Sequence, residues 1–270
     1  MKKSASTSNI IWRAKEYHDL SIAQYVAASN LLDRLNVAAD DHIIDIGCGN
    51  GKITANLSKI ASRARVLGID KSHEMISFAN ENFANENYPN LTFKIQDAEN
   101  LFALNTFDIV FSSFALQWIE DKNRFFKNAY NVLRKDGRLA VITPLGISTE
   151  LQKAVDSIIA LSEWSDYFQE FHPGWFFSNK NTIKHLVKEN CFRIKYFSSC
   201  IQKVVFPSRE SFEKYVLLWL SYLIPIPEEL KSKFFDKIME KYFKILPIRS
   251  NGTAILRIPR LDLIAEKITF

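Results

Sequence analysis

The chain has 270 residues, of which 47% are hydrophobic and 24% charged, the usage of a folded globular protein, so disorder, collagen and coiled coil are excluded. The formal net charge is +5, and it is uneven: residues 1–150 hold 17 basic and 17 acidic side chains, residues 151–270 hold 18 and 13. The basic residues of the second part stand singly rather than in runs, so no nucleic-acid partner is expected and only a modest attraction for anionic partners follows.

Taken in chain order, residues 1–20 begin basic but continue with Ser, Thr and Asn instead of an apolar segment, so they read as a frayed leader and not as a secretory signal. Residues 22–35 place Ile22, Tyr25, Val26, Leu31, Leu32 and Leu35 at roughly helical spacing, predicting an opening helix. His42 to Ile46 is a short β-branched run that ends at Gly47, and the segment from Lys52 then has helical spacing. The pattern repeats, with strands at 64–70, 91–97, 106–113 and 138–143, and helices at 73–84 and 125–133, the latter stopped by Asp136-Gly137. Strands alternating with helices at this spacing predict βαβ units, hence an α/β, doubly wound, mostly parallel sheet with both faces covered.

Beyond residue 147 the pattern is less regular. It gives a helix at 149–162, an aromatic loop at 164–177, a helix at 180–189, strands at 192–198 and 200–206, helices at 208–223 and 228–245, and a closing run from Ile255 to Lys267. The late strands are expected to complete the same sheet, leaving a helical insertion at 207–250. Twenty of the 35 aromatic residues fall in 151–270. Without a linker or an internal repeat, residues 1–270 are read as one domain. Cys48, Cys191 and Cys200 form neither a disulfide framework nor a zinc-type pair, so a reducing, cytoplasmic setting and no metal are expected. The apolar run Val216 to Ile226 is far short of the ~20 residues that span a bilayer.

Ile44-Asp45-Ile46-Gly47-Cys48-Gly49-Asn50-Gly51 carries the chemistry, because a glycine loop between strand and helix lets backbone approach a ligand with no Cβ in the way. A dinucleotide fingerprint needs glycine at position 52, which is Lys52. A phosphate-binding loop ending at Gly51-Lys52 needs glycine at 46 and Ser or Thr at 53, where Ile46 and Ile53 stand. The spacing D-x-G-x-G-x-G resembles motif I of the class I S-adenosylmethionine-dependent methyltransferases.

That resemblance continues along the chain and covers residues 42–146. It implies a seven-stranded Rossmann-like sheet, with 1–36 lying over the cofactor, 38–147 as the cofactor-binding core, and 164–177 with 207–250 as a substrate lid. By position, Asp70 corresponds to the acidic residue that accepts hydrogen bonds from both ribose hydroxyls, a task a carboxylate can perform. Lys71 and Met75 fall where the family borders the adenine, and Asp97 with Ala98 where it reads the adenine edge. Asp45, Gly47, Cys48, Gly49 and Gly51 form the loop, and Ser112 and Ser113 end the fourth strand beside the reacting methyl. The glycines, Asp45, Asp70 and Asp97 also have plainer readings as turn and cap residues, and the Cys48 thiol is given no catalytic role.

Ser113-Phe114-Ala115-Leu116-Gln117-Trp118, with Ala14, Tyr17 and Gln24, is similar to the group that contains trans-aconitate, juvenile hormone acid and malonyl-carrier-protein methyltransferases. The resemblance places Tyr17 and Gln24 over the cofactor and Trp118 near the substrate, and it implies O-methylation of a carboxylate on a small acid. His172 and Trp175, in the aromatic loop, are candidate substrate residues, His172 as a hydrogen-bonding ring. No catalytic base is assigned, since a carboxylate with an ordinary pKa near ~4 is already nucleophilic. The alternatives are a hydroxyl, amine or carbon acceptor, an acyl group on an acidic carrier protein, and a non-catalytic cofactor-binding module.

Overall fold

The computed structural model describes residues 13–84, 86–101 and 104–269. Of the frayed leader expected over residues 1–20, residues 1–12 lie outside them, and Ala14–Leu20 form a helix instead. The chain divides into two compact units: the described residues of the first fall within 12–145, 176–200 and 260–270, and those of the second within 146–175 and 201–259.

The first unit begins with two helices, α1 (Ala14–Leu20) and α2 (Ile22–Leu35). Then come β1 (Ile43–Ile46), α3 (Lys52–Ile60), β2 (Val66–Asp70), α4 (His73–Phe83), β3 (Leu91–Ile95), β4 (Phe107–Ser113), α5 (Lys122–Val132) and β5 (Leu133–Pro144). The second unit holds α6 (Thr149–Ile159), and the chain returns to the first for α7 (Lys180–Glu189). β6 (Phe192–Phe206) follows, then α8 (Arg209–Leu217), α9 (Glu228–Ile245) and β7 (Ala254–Lys267). One seven-stranded sheet results, in the order β3-β2-β1-β4-β5-β7-β6. Its β3-β2-β1-β4-β5 portion is parallel and β7 runs antiparallel to β5, with Arg138 opposite Glu266 and Pro144 opposite Arg260.

Alternation along the strands sends neighbouring side chains to opposite faces. Ile43, Ile109, Phe111, Ala140 and Ile142 pack with Leu31, Leu57 and Ile76 of α2, α3 and α4 on one face. Ile44, Val110, Leu139 and Val141 pack with Phe125, Phe126 and Ala129 of α5 and Ile183 of α7 on the other. Both faces are covered, which is why β1 is buried at every residue.

Four further expectations change. The stripe on α2 is Ala23, Gln24, Ala27, Ala28, Leu31, Leu32 and Leu35, whereas Ile22 and Val26 are 63% and 49% exposed, because alanines let the helix lie close to the sheet. Asp136-Gly137 does not stop a helix: α5 ends at Val132, and β5 starts at Leu133 and absorbs the pair, Asp136 taking a left-handed φ of 59°. Residues 192–206 form one strand rather than two. The segment 208–223 is α8 followed by a separate 3-10 turn, Ser221–Leu223.

In the second unit, Trp164 packs on Phe234 with centroids 5.0 Å apart, and Phe212 stacks on Tyr242 at 4.8 Å. Arg257 Nη1 meets Glu150 Oε1 at 2.7 Å, and Ser148 Oγ donates to the other Glu150 oxygen at 2.7 Å. That arrangement holds the Glu150 carboxyl below its usual pKa against the opposing effect of burial.

Candidate functional site

The site is built at the carboxyl ends of β1, β2 and β4, where ligands bind in open α/β sheets. β1 delivers the chain into Gly47-Cys48-Gly49-Asn50-Gly51, and all three glycines take left-handed φ values of 75°, 53° and 80°. Their surroundings differ. A Cβ at Gly47 would collide with the Ala115 side chain, and one at Gly51 would lie 2.7 Å from the Phe93 ring. A Cβ at Gly49 would meet nothing within 4 Å, so Gly49 is the glycine that borders open space.

The loop's backbone donors are largely engaged within the protein. Gly47 and Cys48 N–H both donate to Ile69 O, at 2.8 and 2.9 Å. The Gly49 N–H donates to Asp70 Oδ2 at 3.0 Å, and Ser72 N–H to Asp70 Oδ1 at 2.8 Å. Asp70 therefore ties the loop to the start of α4, where Ser72 caps the helix by accepting from Met75 N–H at 3.3 Å. Burial raises its pKa, opposed by the Ser72 and Gly49 N–H groups and Lys71. Each carboxylate oxygen accepts one of these backbone bonds and has capacity for another. What the loop offers a ligand is thus room at Gly49 and the acceptors of Asp70, more than free backbone N–H groups.

Asp45, 2% exposed, accepts from Thr54 Oγ1 at 2.7 Å. Burial pushes its carboxyl up to about 7; the Thr54 bond opposes this and the Asp70 charge adds to it. Cys48 is buried, and burial pushes its thiol well up, away from a reactive thiolate. Met75 is buried in the first turn of α4 and Lys71 is exposed. Asp97 is exposed beyond β3 and accepts from Glu99 N–H at 2.8 Å, and the Ala98 carbonyl accepts from Asn128 Nδ2 at 3.0 Å. Ser112 is buried and donates to Ile46 O at 2.9 Å. Ser113 Oγ is shielded from solvent with no protein partner.

Tyr17 is half-buried in α1 and Gln24 buried in α2. α1 is drawn to the loop by Lys52 Nζ, which donates to His18 O at 3.1 Å. The His18 ring lies 5.4 Å from Phe78 of α4, and burial with the Lys52 charge holds its pKa down. At the end of β4, Phe114 turns with φ 54°. Gln117 follows, donating through Nε2 to Phe114 O at 2.7 Å while its Oε1 is shielded and unpartnered. Trp118 is half-buried in the same 3-10 turn, Leu116–Trp118.

His172 and Trp175 belong to the second unit. His172 is exposed, and its Nδ1 accepts from Gly174 N–H at 3.1 Å, closing a local turn. Trp175 is buried against Trp219 and Tyr222.

Several residues of the first unit escaped the sequence reading. Asn50 is 4% exposed with Nδ2 shielded and unpartnered, and its place between two glycines was the available signal. Lys52 enters the sequence pattern as the start of a helix and as a mismatched phosphate-loop position, neither of which points to its bond to α1. Thr54 and Gln117 carried no motif of their own. Lys122, 8% exposed, donates to Ile119 O at 2.9 Å, and burial pushes its amine down to about 8.

The residues fit a cationic, ribose-bearing cofactor. Gly49 borders open space that a Cβ would narrow, Asp70 has spare acceptor capacity for two hydroxyls, and Asn50 Nδ2 and Ser113 Oγ are buried polar atoms without protein partners.

A family model described as a methyltransferase domain matches residues 38–203. A putative methyltransferase of Invertebrate iridescent virus 6 is 28% identical over 235 residues, covering 87% of this chain and 86% of its own. The trans-aconitate 2-methyltransferase of Escherichia coli is 24% identical over 262 residues, covering 95% and 98%. Among solved structures, the YcgJ protein from Bacillus subtilis superposes with a TM-score of 0.64 at 14% identity, covering 90% of this chain and 98% of its own. With the strand order and the glycine loop, the match over residues 38–203 shows that the chain belongs to the methyltransferase-domain family, as a class I S-adenosylmethionine-dependent methyltransferase.

Proposed function

We propose that this enzyme transfers a methyl group to a carboxylate oxygen of a small-molecule acid, giving an ester. The observation that carries the reading is the tip of β4: Ser112-Ser113-Phe114-Ala115-Leu116-Gln117-Trp118 contains no ionisable side chain. A hydroxyl or protonated amine acceptor must give up a proton to a base, and this segment supplies none, whereas a carboxylate is ionised at neutral pH and needs only to be held. The trans-aconitate relatives, matched over nearly the whole chain, support the same chemistry.

When bound, S-adenosylmethionine supplies a sulfonium methyl that is electrophilic without further activation and leaves S-adenosylhomocysteine behind. In this reading Asp70 accepts from the ribose hydroxyls, Gly47, Cys48, Gly49 and Gly51 shape the passage for the amino-acid end, and Asp45 braces the loop through Thr54. Lys71, Met75, Asp97 and Ala98 border the adenine, Tyr17 and Gln24 lie over the cofactor, and Ser112 and Ser113 flank the reacting region. Trp118, His172 and Trp175 are assigned to the acceptor, and segments 164–177 and 207–250 to its selection. Orientation and exclusion of water then carry the rate.

Incubation of the protein with S-adenosylmethionine and a panel of carboxylic acids, phenols and amines, read by mass spectrometry, tests the reading. Methyl esters are expected. Methylated amines or phenols with no ester overturn it.

A further inference from the structure

In the second unit, every shielded side-chain polar atom without a protein partner among the described residues is a hydrogen-bond donor: Trp164 Nε1, Trp219 Nε1 and Ser221 Oγ. An indole N–H can only donate, and a hydroxyl always has a proton to give. Leaving such donors buried and unmet is unfavourable, so a native structure that retains them calls for an explanation.

Two of the three are close in the chain. Trp219 and Ser221 are two residues apart in the turn between α8 and α9, and Ser221 is 2% exposed. Tyr222 follows directly. Its Oη accepts from Gln152 Nε2 at 3.3 Å, and the same amide nitrogen donates to Asp156 Oδ1 at 2.7 Å. Gln152 thus stands between the hydroxyl and the nearby carboxylate, and the Tyr222 proton remains to be donated. Flat apolar surface surrounds these donors. Trp175 lies 6.0 Å from the Trp219 ring and 5.7 Å from Tyr222, and Phe171 lies 5.6 Å from Tyr222. Donors without matching acceptors, set among ring faces, suit a ligand whose polar end only accepts and whose body is flat and apolar.

We propose that Trp219 Nε1, Ser221 Oγ and the Tyr222 hydroxyl form a carboxylate subsite, and that the acid it takes carries an aryl or unsaturated skeleton. This rests on the carboxylate reading above and names the residues that select the acceptor. Trp164 Nε1 is not part of it, since Trp164 follows α6 and does not belong to the turn that carries Trp219, Ser221 and Tyr222.

The test compares cinnamate with cinnamyl alcohol by isothermal titration of the full chain in the presence of S-adenosylhomocysteine, for the native protein, Trp219→Phe and Ser221→Ala. Cinnamate is expected to bind at least tenfold more tightly than the alcohol, and each variant to lose at least tenfold for cinnamate while S-adenosylhomocysteine affinity is unchanged. The ligand-free Ser221→Ala protein is expected to melt at the same temperature or higher, because the change removes an unmet buried donor. Equal binding of acid and alcohol, undiminished cinnamate binding by the variants, or a lower melting temperature for Ser221→Ala overturns the subsite. A protein that makes methyl esters yet fails this test loses the subsite alone; one that binds cinnamate through these residues but makes no ester loses the carboxylate-transfer reading.

Discussion

Gly49 differs from the glycines on either side of it in a way that separates binding from folding. All three are left-handed, but Gly47 and Gly51 are also crowded, by Ala115 and by Phe93. Gly49→Ala therefore costs only the backbone strain, about 1–2 kcal/mol, while in the proposed site its methyl group would intrude on the cofactor. The folded variant is expected to bind S-adenosylhomocysteine at least tenfold more weakly by calorimetry, and Gly47→Ala to lose stability before affinity can be measured; unchanged affinity in Gly49→Ala would remove Gly49 from the site. Asp45 allows a second prediction. Burial raises its carboxyl from 3.8 to about 7, so between those values the folded chain holds a proton that the unfolded chain has released. Stability contributed by this group is then present below about pH 4 and is lost as pH rises to about 7, at up to ~1.4 kcal/mol per pH unit. Asp45→Asn keeps an acceptor for Thr54 without the titration. Its stability relative to the native protein, from urea unfolding, should rise between pH 5 and 7 and level off above; parallel curves would show that Asp45 is not held protonated.

Among the elements, α1 shows how a short helix is kept in place. Seven residues are too few to be stable alone, and α1 has no buried residue. It is fastened by the Lys52–His18 carbonyl bond and by the His18 ring on Phe78 and Phe83. Lys52→Met is expected to speed amide exchange in residues 14–20 by about tenfold while β1 stays protected, as read by hydrogen exchange mass spectrometry. Exchange unchanged in α1 would show that the rings alone suffice. α1 is also where the sequence pattern falls short, since Ala14–Leu20 reads as part of a frayed leader and forms a helix. Periodicity and glycine placement were enough for β1 to β4, α7 and α9, because each buries a regular face bounded by turn residues. They failed for the outward side of α2, where alanine marks the close approach and Ile22 with Val26 misleads, and for β6, where no residue breaks the run at position 199. Motif spacing singles out the loop, Asp70 and the β4 tip as candidates, but the contacts around them, Thr54 with Asp45, Lys52 with the His18 carbonyl and Gln117 with the Phe114 carbonyl, are not encoded in spacing. Trp219 and Ser221 fall inside the segment 208–223 that spacing predicts as a helix, and only their unmet side-chain donors set them apart.

At the scale of the whole molecule, charge and ligand linkage bear on the same question. Residues 176–200 hold five basic side chains against one acidic, while 146–175 and 201–259 hold eleven of each. The excess that suggested an acidic carrier partner therefore lies on α7 and the start of β6, outside the unit assigned to the acceptor, and an acyl-carrier partner has no support. No helix among the described residues is long and apolar enough to cross a membrane. Linkage provides the last prediction. A ligand that binds only the folded chain adds about 2.7 kcal/mol at a hundredfold excess over its Kd. For a chain of this size that converts to roughly 2–4 °C per kcal/mol, so saturating S-adenosylhomocysteine should raise the melting temperature by roughly 5–10 °C. Asp70→Asn replaces a carboxylate that can accept several bonds with an amide that must also donate, so it should abolish most of that rise. Ser221→Ala, altered only in the second unit, should keep all of it. If Ser221→Ala lost the shift and Asp70→Asn kept it, the cofactor and acceptor assignments would have to be exchanged.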